Sequence, residues 1–158
     1  MSKQTAKQII DLLFNMNLNE TNNIINQNTF GIILDFIGGE PLMNLEVIDY
    51  SCSYFLEECL KRNHHWARHW KCSFVSNGAL FFKNSTQDFL KKFKGFISFG
   101  ITLDGPKQVH DSCRKYFDGT GNFEDAYKAF KYCQKNFGYN QTKVTISKNI
   151  LNNIDEII

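Results

Sequence analysis

The residues best suited to chemistry form a Gly-Gly-Glu-Pro turn at 38–41, directly after a short apolar run. Two glycines let the backbone bend sharply and bring its amides close to a ligand, and Glu40 supplies a carboxylate that can accept hydrogen bonds from an ammonium group. Pro41 stiffens the exit of the turn. The ordinary alternative is a strand-to-helix turn with a proline at the start of the helix. The four residues together, after an apolar strand, favour a ligand-binding turn.

Two further polar turns follow apolar stretches. Ser-Asn-Gly stands at 76–78, and Thr-Leu-Asp-Gly stands at 102–105. Taken singly, each is more often an ordinary turn that ends a strand than a binding site, because Asn and Gly tolerate a positive φ. Placed at the same end of neighbouring strands, however, they become candidates for one shared site.

Helical and strand patterns alternate along the chain, which predicts a parallel α/β fold. The predicted helices cover residues 6–13, 45–62, 86–92 and 123–136, and another begins at 150. The predicted strands cover residues 30–37, 72–76, 96–103 and 143–147. The run at 30–37 is nearly unbroken, as in a strand buried on both faces. In barrels and doubly wound sheets ligands sit at the carboxyl ends of the strands, where the polar turns lie.

The composition excludes several classes of protein. The chain has 158 residues, 42% of them apolar, which is ample for a packed core and argues against disorder. Its net charge of +2 comes from charges mixed along the chain, without a basic tract for nucleic acid or anionic lipid. No apolar run of about 18 residues or export signal is present. We therefore expect a cytoplasmic protein with a small organic or peptide partner, no nucleic-acid partner and no membrane association.

The cysteines and histidines do not form a metal motif. Five cysteines are widely spread and include no C-x2-C or C-x3-C pair, so a disulfide framework, a zinc ribbon and a local cluster loop are all disfavoured. His65 and His69 stand four apart, but no Glu or Asp completes a motif, and the end of a helix rich in aromatic residues is the better interpretation. Cys113 beside Arg114 is better interpreted as a packed thiol than as an activated one.

The ordered turns resemble the core of radical S-adenosylmethionine (SAM) enzymes, in which a Gly-Gly-Glu-Pro turn after the second barrel strand binds the amino group of the methionine part of SAM. His-Asp-x-Cys-Arg at 110–114 and Asp-Gly-x-Gly at 118–121 resemble the branch that contains sulfatase maturases and ribosomal-peptide maturases, with the maturases of Cys-rich or Cys-repeat peptides closest. The resemblance runs from about residue 30 to 158. Four ordered motifs are much more specific than any single one.

The resemblance implies a set of residues that bind SAM. Ser76, Asn77 and Thr102 offer short polar groups for the carboxylate and ribose of SAM, and the planar guanidinium of Arg114 could pair with the carboxylate. Thr102 stands where the family usually has Ser, and Asp104 is as suited to ordering its own turn as to touching the ligand. The candidate site residues are Gly38, Gly39, Glu40, Pro41, Ser76, Asn77, Thr102, Asp104 and Arg114.

The family also uses a [4Fe-4S] cluster held by C-x3-C-x2-C after the first barrel strand, and this sequence has no such triplet. The expectation is a single partial radical SAM core domain over 1–158: an incomplete TIM-like (β/α) barrel without the first strand, the cluster loop or the last strands. Such a chain would be inactive by itself, a truncated gene product, a partial sequence or one half of a split protein whose cluster segment comes from another chain. In intact form it would cleave SAM reductively to modify a peptide or protein side chain.

Two alternatives stay open at the level of the sequence. One is a non-catalytic α/β module that binds SAM or a peptide and has lost the cluster. The other is an unrelated α/β-barrel hydrolase or isomerase that uses Glu40 and Asp104 as acid and base, which requires the two carboxylates to converge on one substrate.

Overall fold

The structure is a computed structural model that describes residues 1–16, 29–137, 141–146 and 148–151. The predicted connector at 17–28 and most of the predicted terminal helix lie outside these residues. The elements are α1 Lys3–Asn15, β1 Ile32–Phe36, α2 Leu45–Lys61, β2 Trp70–Ser76, α3 Asn84–Lys92, β3 Ile97–Thr102, α4 Lys107–Cys113, α5 Phe123–Phe137, β4 Gln141–Lys143 and α6 Lys148–Leu151. Short 3-10 turns at Pro41–Asn44 and His65–Ala67 precede α2 and β2.

The four strands form one parallel sheet in the order β1-β2-β3-β4. The register pairs Leu34 with Cys72 and Cys72 with Ile97, so the strand ends stand side by side. Helices connect successive strands, as parallel neighbours require. The predicted α/β alternation is confirmed, and the three polar turns that follow β1, β2 and β3 lie along one edge of the sheet.

Helices cover one face of the sheet and form the core with it. The buried stripe of α2 includes Val47, Cys52 and Phe55, at the spacing expected of a helix with one covered face. The start of α1 is capped by Ser2, and its Phe14 ring stacks on Phe55 with centroids 5.7 Å apart. Large core side chains from the helices, strands and loops are fully buried, among them Phe55, Trp66, Phe74, Phe81 and Ile101.

The opposite face of β1 is open in the described part of the chain, so the prediction of a strand buried on both faces is wrong. Ile33 is 66% exposed and Ile37 is 87% exposed, whereas Leu34 and Phe36 on the other face pack against the core. The helices lie on one side of the sheet, and β1 is its edge strand. An unbroken apolar run therefore does not by itself show that both faces are covered.

Smaller differences concern the second half of the chain. The last strand covers Gln141–Lys143, earlier than the predicted 143–147, and residue 147 lies outside the described residues. The helix α4 was not predicted, because seven residues are too few to show a clear period. The histidine-rich segment forms a 3-10 turn between α2 and β2 and not the end of an α-helix. No helix in the described residues has both the length and the apolar character needed to span a membrane.

Candidate functional site

Glu40 ties the turn after β1 to the end of β2. Its Oε1 atom accepts hydrogen bonds from the backbone N–H of Leu42 at 3.1 Å and from Oγ of Ser76 at 3.0 Å. Its Oε2 atom accepts from the backbone N–H of Asn77 at 2.7 Å. A carboxylate offers about four lone-pair positions. Three of them therefore fix the turn, and one is left for a donor on a ligand.

The turn after β2 is closed against α5. Ser76 is fully buried, and besides donating to Glu40 its Oγ accepts from the backbone N–H of Gly78 at 3.0 Å. Gly78 has φ +84°, and a Cβ there would lie 2.7 Å from the Cα of Ala126. Only glycine fits such a position without strain. This turn therefore sets the distance between the end of β2 and the start of α5.

The turn after β3 is held by an ion pair that crosses to the segment after β4. Asp104 is 1% exposed, and its carboxylate accepts from Nε of Arg114 and, at 2.7 Å, from the backbone N–H of Thr145. The Nη2 atom of Arg114 also donates to Oγ1 of Thr145 at 2.9 Å. A guanidinium has five N–H donors, so these bonds leave others for a ligand. Asp104 positions Arg114 and is itself buried.

A polar cavity of about 300 Å³ lies where these turns meet, on the side of the sheet away from the helices. Of the predicted site residues it is lined by Gly38, Gly39, Pro41, Thr102 and Arg114. The full lining is Asp35, Phe36, Ile37, Gly38, Gly39, Pro41, Val75, Thr102, Arg114, Lys143 and Thr145. The other four predicted residues do not line this cavity. Ser76 and Asp104 are buried, and Glu40 and Asn77 line a larger groove on the other side of the first turn.

The two glycines of the first turn have no structural reason to be glycine in the described chain. Neither has a φ in the left-handed region, and a Cβ built on Gly38 or Gly39 meets nothing within 4 Å. By contrast, a Cβ on Gly31 or Gly100 would come within 3.0 Å of backbone atoms of another segment. Glycine without such a constraint, at the mouth of a cavity, is expected where a ligand approaches the backbone closely.

A larger groove of about 960 Å³ lies on the other side of the same turn, beside the helices. Leu42, Leu80 and Phe89 contribute apolar surface to it, and exposed Met43 and Phe117 stand at its border. Of the predicted site residues, Glu40 and Asn77 line this groove; its apolar lining was not predicted, because it comes from segments that are far apart in the chain.

The cysteines of this chain do not fit an iron–sulfur cluster. Four of them are buried in the core, and Cys113 alone is exposed. Burial raises the pKa of Cys59 and of Cys133 to about 12, as expected of thiols packed in an apolar core. Among the described residues, which include all five cysteines, no group of three potential ligands could hold a metal ion.

The histidines of the histidine-rich segment have partners other than a metal ion. Nδ1 of His64 accepts from the backbone N–H of Trp66 at 3.2 Å, and Nε2 of His65 lies 2.9 Å from the carbonyl of Thr29. The ring of His69 packs against Phe30 with centroids 4.2 Å apart. These rings serve packing and turn geometry.

Sequence reasoning missed two residues of this assembly, Asn122 and Thr145. Asn122 directly precedes a predicted helix, where Asn is common as a cap, so a structural signal was available. Thr145 falls in the segment predicted as the fourth strand and gave no signal of its own. Its role depends on the ion pair between Asp104 and Arg114, which only the fold brings together.

No family model matches this sequence, and no curated protein matches it. Solved structures do match. The enzyme anSMEcpe with bound AdoMet, an anaerobic sulfatase-maturating enzyme, aligns with a TM-score of 0.70 at 23% identity, over 99% of this chain and 38% of that chain. The chain has part of the fold of a radical SAM maturase. It spans well under half the length of the enzymes it matches.

Two further structures of the same enzyme contain a peptide as well as AdoMet. The complex with the Kp18Cys peptide gives a TM-score of 0.69 at 24% identity, over 99% of this chain and 38% of that chain. The complex with the Cp18Cys peptide gives 0.71 at 23%, over 99% and 39%. The expectation of a partial radical SAM core is thereby confirmed as a statement about the fold.

Proposed function

We propose that this chain is the SAM-binding part of a radical SAM enzyme that modifies a peptide or protein side chain. The observation that carries this proposal is the pair Gly38 and Gly39, whose glycine character nothing in the described chain requires, at the mouth of a polar cavity. Support comes from the shared fold with a maturase that has AdoMet bound.

The residues around the cavity fit the methionine part of SAM. The backbone of Gly38 and Gly39, in the turn that Glu40 holds, offers acceptors for an ammonium group, and the remaining N–H donors of Arg114 suit a carboxylate. The hydroxyl of Thr102 supplies a further hydrogen bond. SAM, when bound in enzymes of this type, supplies a radical that abstracts a hydrogen atom from the substrate. The chain's own residues bind and orient it.

The iron–sulfur cluster does not fit the five cysteines described above, so we infer that this chain alone does not cleave SAM. Cysteines other than these five must hold the cluster, for example those of a second chain. Anaerobic treatment with iron and sulfide is expected to give neither a charge-transfer absorption band nor SAM cleavage. Either signal from this chain alone would refute the inference.

The proposed substrate is a peptide or protein, since two of the matching maturase structures hold a peptide beside AdoMet. A cytoplasmic site of action follows from the same assignment, because radical chemistry at an iron–sulfur cluster requires reducing conditions.

A second candidate is a binding module that takes up SAM or a peptide without catalysis, and the unsuitable cysteines favour it. The two candidates differ in one assay. Addition of a cluster-bearing partner chain restores SAM cleavage if this chain is part of an enzyme, and leaves it absent if the chain is a binding module. The acid–base alternative fits poorly, because Asp104 is buried against Arg114 and Glu40 lines the groove on the other side of the turn, so the two carboxylates do not converge on one cavity.

The test is calorimetric titration of the chain with SAM, for the wild type and for Gly39→Ala. The added methyl group meets open space in the free chain, so the melting temperature should be unchanged or slightly higher. It occupies the path of the ligand, so the affinity should fall at least about tenfold, or about 1.4 kcal/mol.

The matched control is Met43→Ala, which truncates an exposed side chain in the groove on the other side of the same turn. Wild-type affinity in this variant supports the cavity as the binding site. The proposal fails if the wild type does not bind SAM, or if Gly39→Ala binds as well as the wild type. A loss of SAM affinity confined to Met43→Ala would indicate that SAM binds in the groove.

A further inference from the structure

A buried histidine connects the turns after β2 and β3. His110 lies on α4 with no exposed surface. Its Nδ1 atom accepts from the backbone N–H of Asp104 at 3.1 Å, and its Nε2 atom lies 2.8 Å from Oδ1 of Asn122. The Nδ2 atom of Asn122 donates to the backbone carbonyl of Asn77 at 2.9 Å. We call this chain of hydrogen bonds, formed by His110 and Asn122 between Asp104 and Asn77, the relay.

The backbone groups at its two ends fix the protons of the relay. The N–H of Asp104 can only donate, so Nδ1 of His110 carries no proton and Nε2 carries the proton of a neutral imidazole. The carbonyl of Asn77 can only accept, so the amide nitrogen of Asn122 faces it and the amide oxygen faces His110. Each side chain therefore has one orientation that satisfies both neighbours, and the relay is a rigid spacer.

Contacts on both sides hold the relay in place. Oδ1 of Asp111 accepts from the backbone N–H of Phe123 at 2.9 Å, and the Phe123 ring meets His110 edge-on with centroids 5.6 Å apart. A Cβ on Gly121 would lie 2.0 Å from Cγ of Asp111, so the chain passes close to α4 here. The start of α5 is thus fastened to α4 on either side of Asn122.

We infer that His110 and Asn122 are positioning residues of the cofactor site. Neither lines the cavity, and each acts through a neighbour. The backbone of Asn77 also donates to Glu40, and the side chain of Asp104 accepts from Arg114. Glu40 holds the turn that carries Gly38 and Gly39, so the relay fixes the distance between this turn and Arg114, the two parts of the site proposed to meet opposite ends of SAM. This inference rests on the proposed function.

Two variants interrupt the relay at different points. His110→Phe fills the same space with an apolar ring and removes both hydrogen bonds. Asn122→Asp has the same shape and still accepts from His110, but it sets a carboxylate oxygen against the carbonyl of Asn77. The control is Val109→Ala, which removes buried packing from the adjacent position of the same helix without touching the relay.

The measurements are the Kd for SAM by calorimetry and the melting temperature of each variant. Both relay variants should raise the Kd about tenfold, the size typical when hydrogen bonds that orient binding groups are removed. Val109→Ala should lower the melting temperature and leave the Kd within about twofold of the wild type, since its loss is one of packing alone. The double variant should bind no more weakly than the weaker single variant, because both interrupt one relay.

Wild-type affinity in both relay variants, or an equal loss in Val109→Ala, overturns the inference. If His110→Phe does not fold, the isosteric Asn122→Asp carries the test by itself. Failure of the wild type to bind SAM is a different result, since it refutes the proposed function and not the role of the relay in the fold. In that case faster hydrogen exchange of the Asp104 amide in Asn122→Asp still distinguishes a rigid spacer from a dispensable one.

Discussion

Replacement of Glu40 by Gln tests whether this carboxylate holds the first two strand ends together. Two backbone N–H groups, of Leu42 and Asn77, donate to different oxygens of Glu40. A Gln amide has one oxygen only, so in either orientation one of these N–H groups faces an NH₂ group. Loss of a hydrogen bond to a charged group costs about 1.5–3 kcal/mol. We expect Glu40→Gln to lower the free energy of unfolding by that amount.

The assay is urea denaturation of the wild type, Glu40→Gln and the control Glu46→Gln. Glu46→Gln removes the same charge six residues away. The Glu46 side chain is 80% exposed, and its ion pair is with exposed Lys3. Solvent screens such an exposed ion pair, so the control should stay near the wild type. If Glu40→Gln unfolds within about 0.5 kcal/mol of Glu46→Gln, the bonds to Glu40 do not hold the turn and the reasoning is refuted.

Three further predictions concern thiols, pH and the start of α5. At pH 8 a thiol reagent should modify Cys113 quickly and the other four cysteines only after unfolding, and a second fast thiol would contradict their burial. Hydrogen bonds from Lys7 and then from Tyr54 lower the pKa of Asp11, so its carboxylate stabilises the fold above its ordinary pKa of about 3.9, and this stabilisation is lost as the pH falls through the lower folded-state value. The difference in unfolding free energy between the wild type and Asp11→Asn should therefore shrink from pH 6 to pH 2, and a constant difference would show the shift to be absent. Gly121→Ala should displace the side chain that caps the first helical N–H of α5 and cost about 0.5–2 kcal/mol in urea denaturation, whereas an unchanged midpoint would show that the cap is dispensable.

The alternation of helices and strands could be predicted from the sequence because each pattern is local. The stripe of α2 and the apolar run of β1 follow directly from side-chain period. What covers the second face of β1 is not local information, and its Ile33 is exposed in the described part of the chain. The short helix α4 carries too few residues for a period to emerge.

The candidate site could be located from the sequence, but which of its residues line the cavity and which hold the others in place could not be predicted. The polar turns meet at one edge because parallel strands end together. That Asp104 would pair with Arg114 depends on α4 crossing the end of β3, and that Ser76 would support Glu40 depends on the register of β1 and β2. These are long-range contacts. A sequence pattern marks such residues as polar and well placed without showing whether they face the ligand or each other.

Amide NMR of the isotope-labelled chain during titration with SAM locates the binding site directly. If SAM enters the cavity at the carboxyl ends of the strands and approaches the backbone of the first turn, the largest shift changes should occur at the amides of Gly38 and Gly39, with smaller ones at Thr102. Unchanged spectra, or changes centred on Leu80 and Phe89 in the groove, would contradict this binding site.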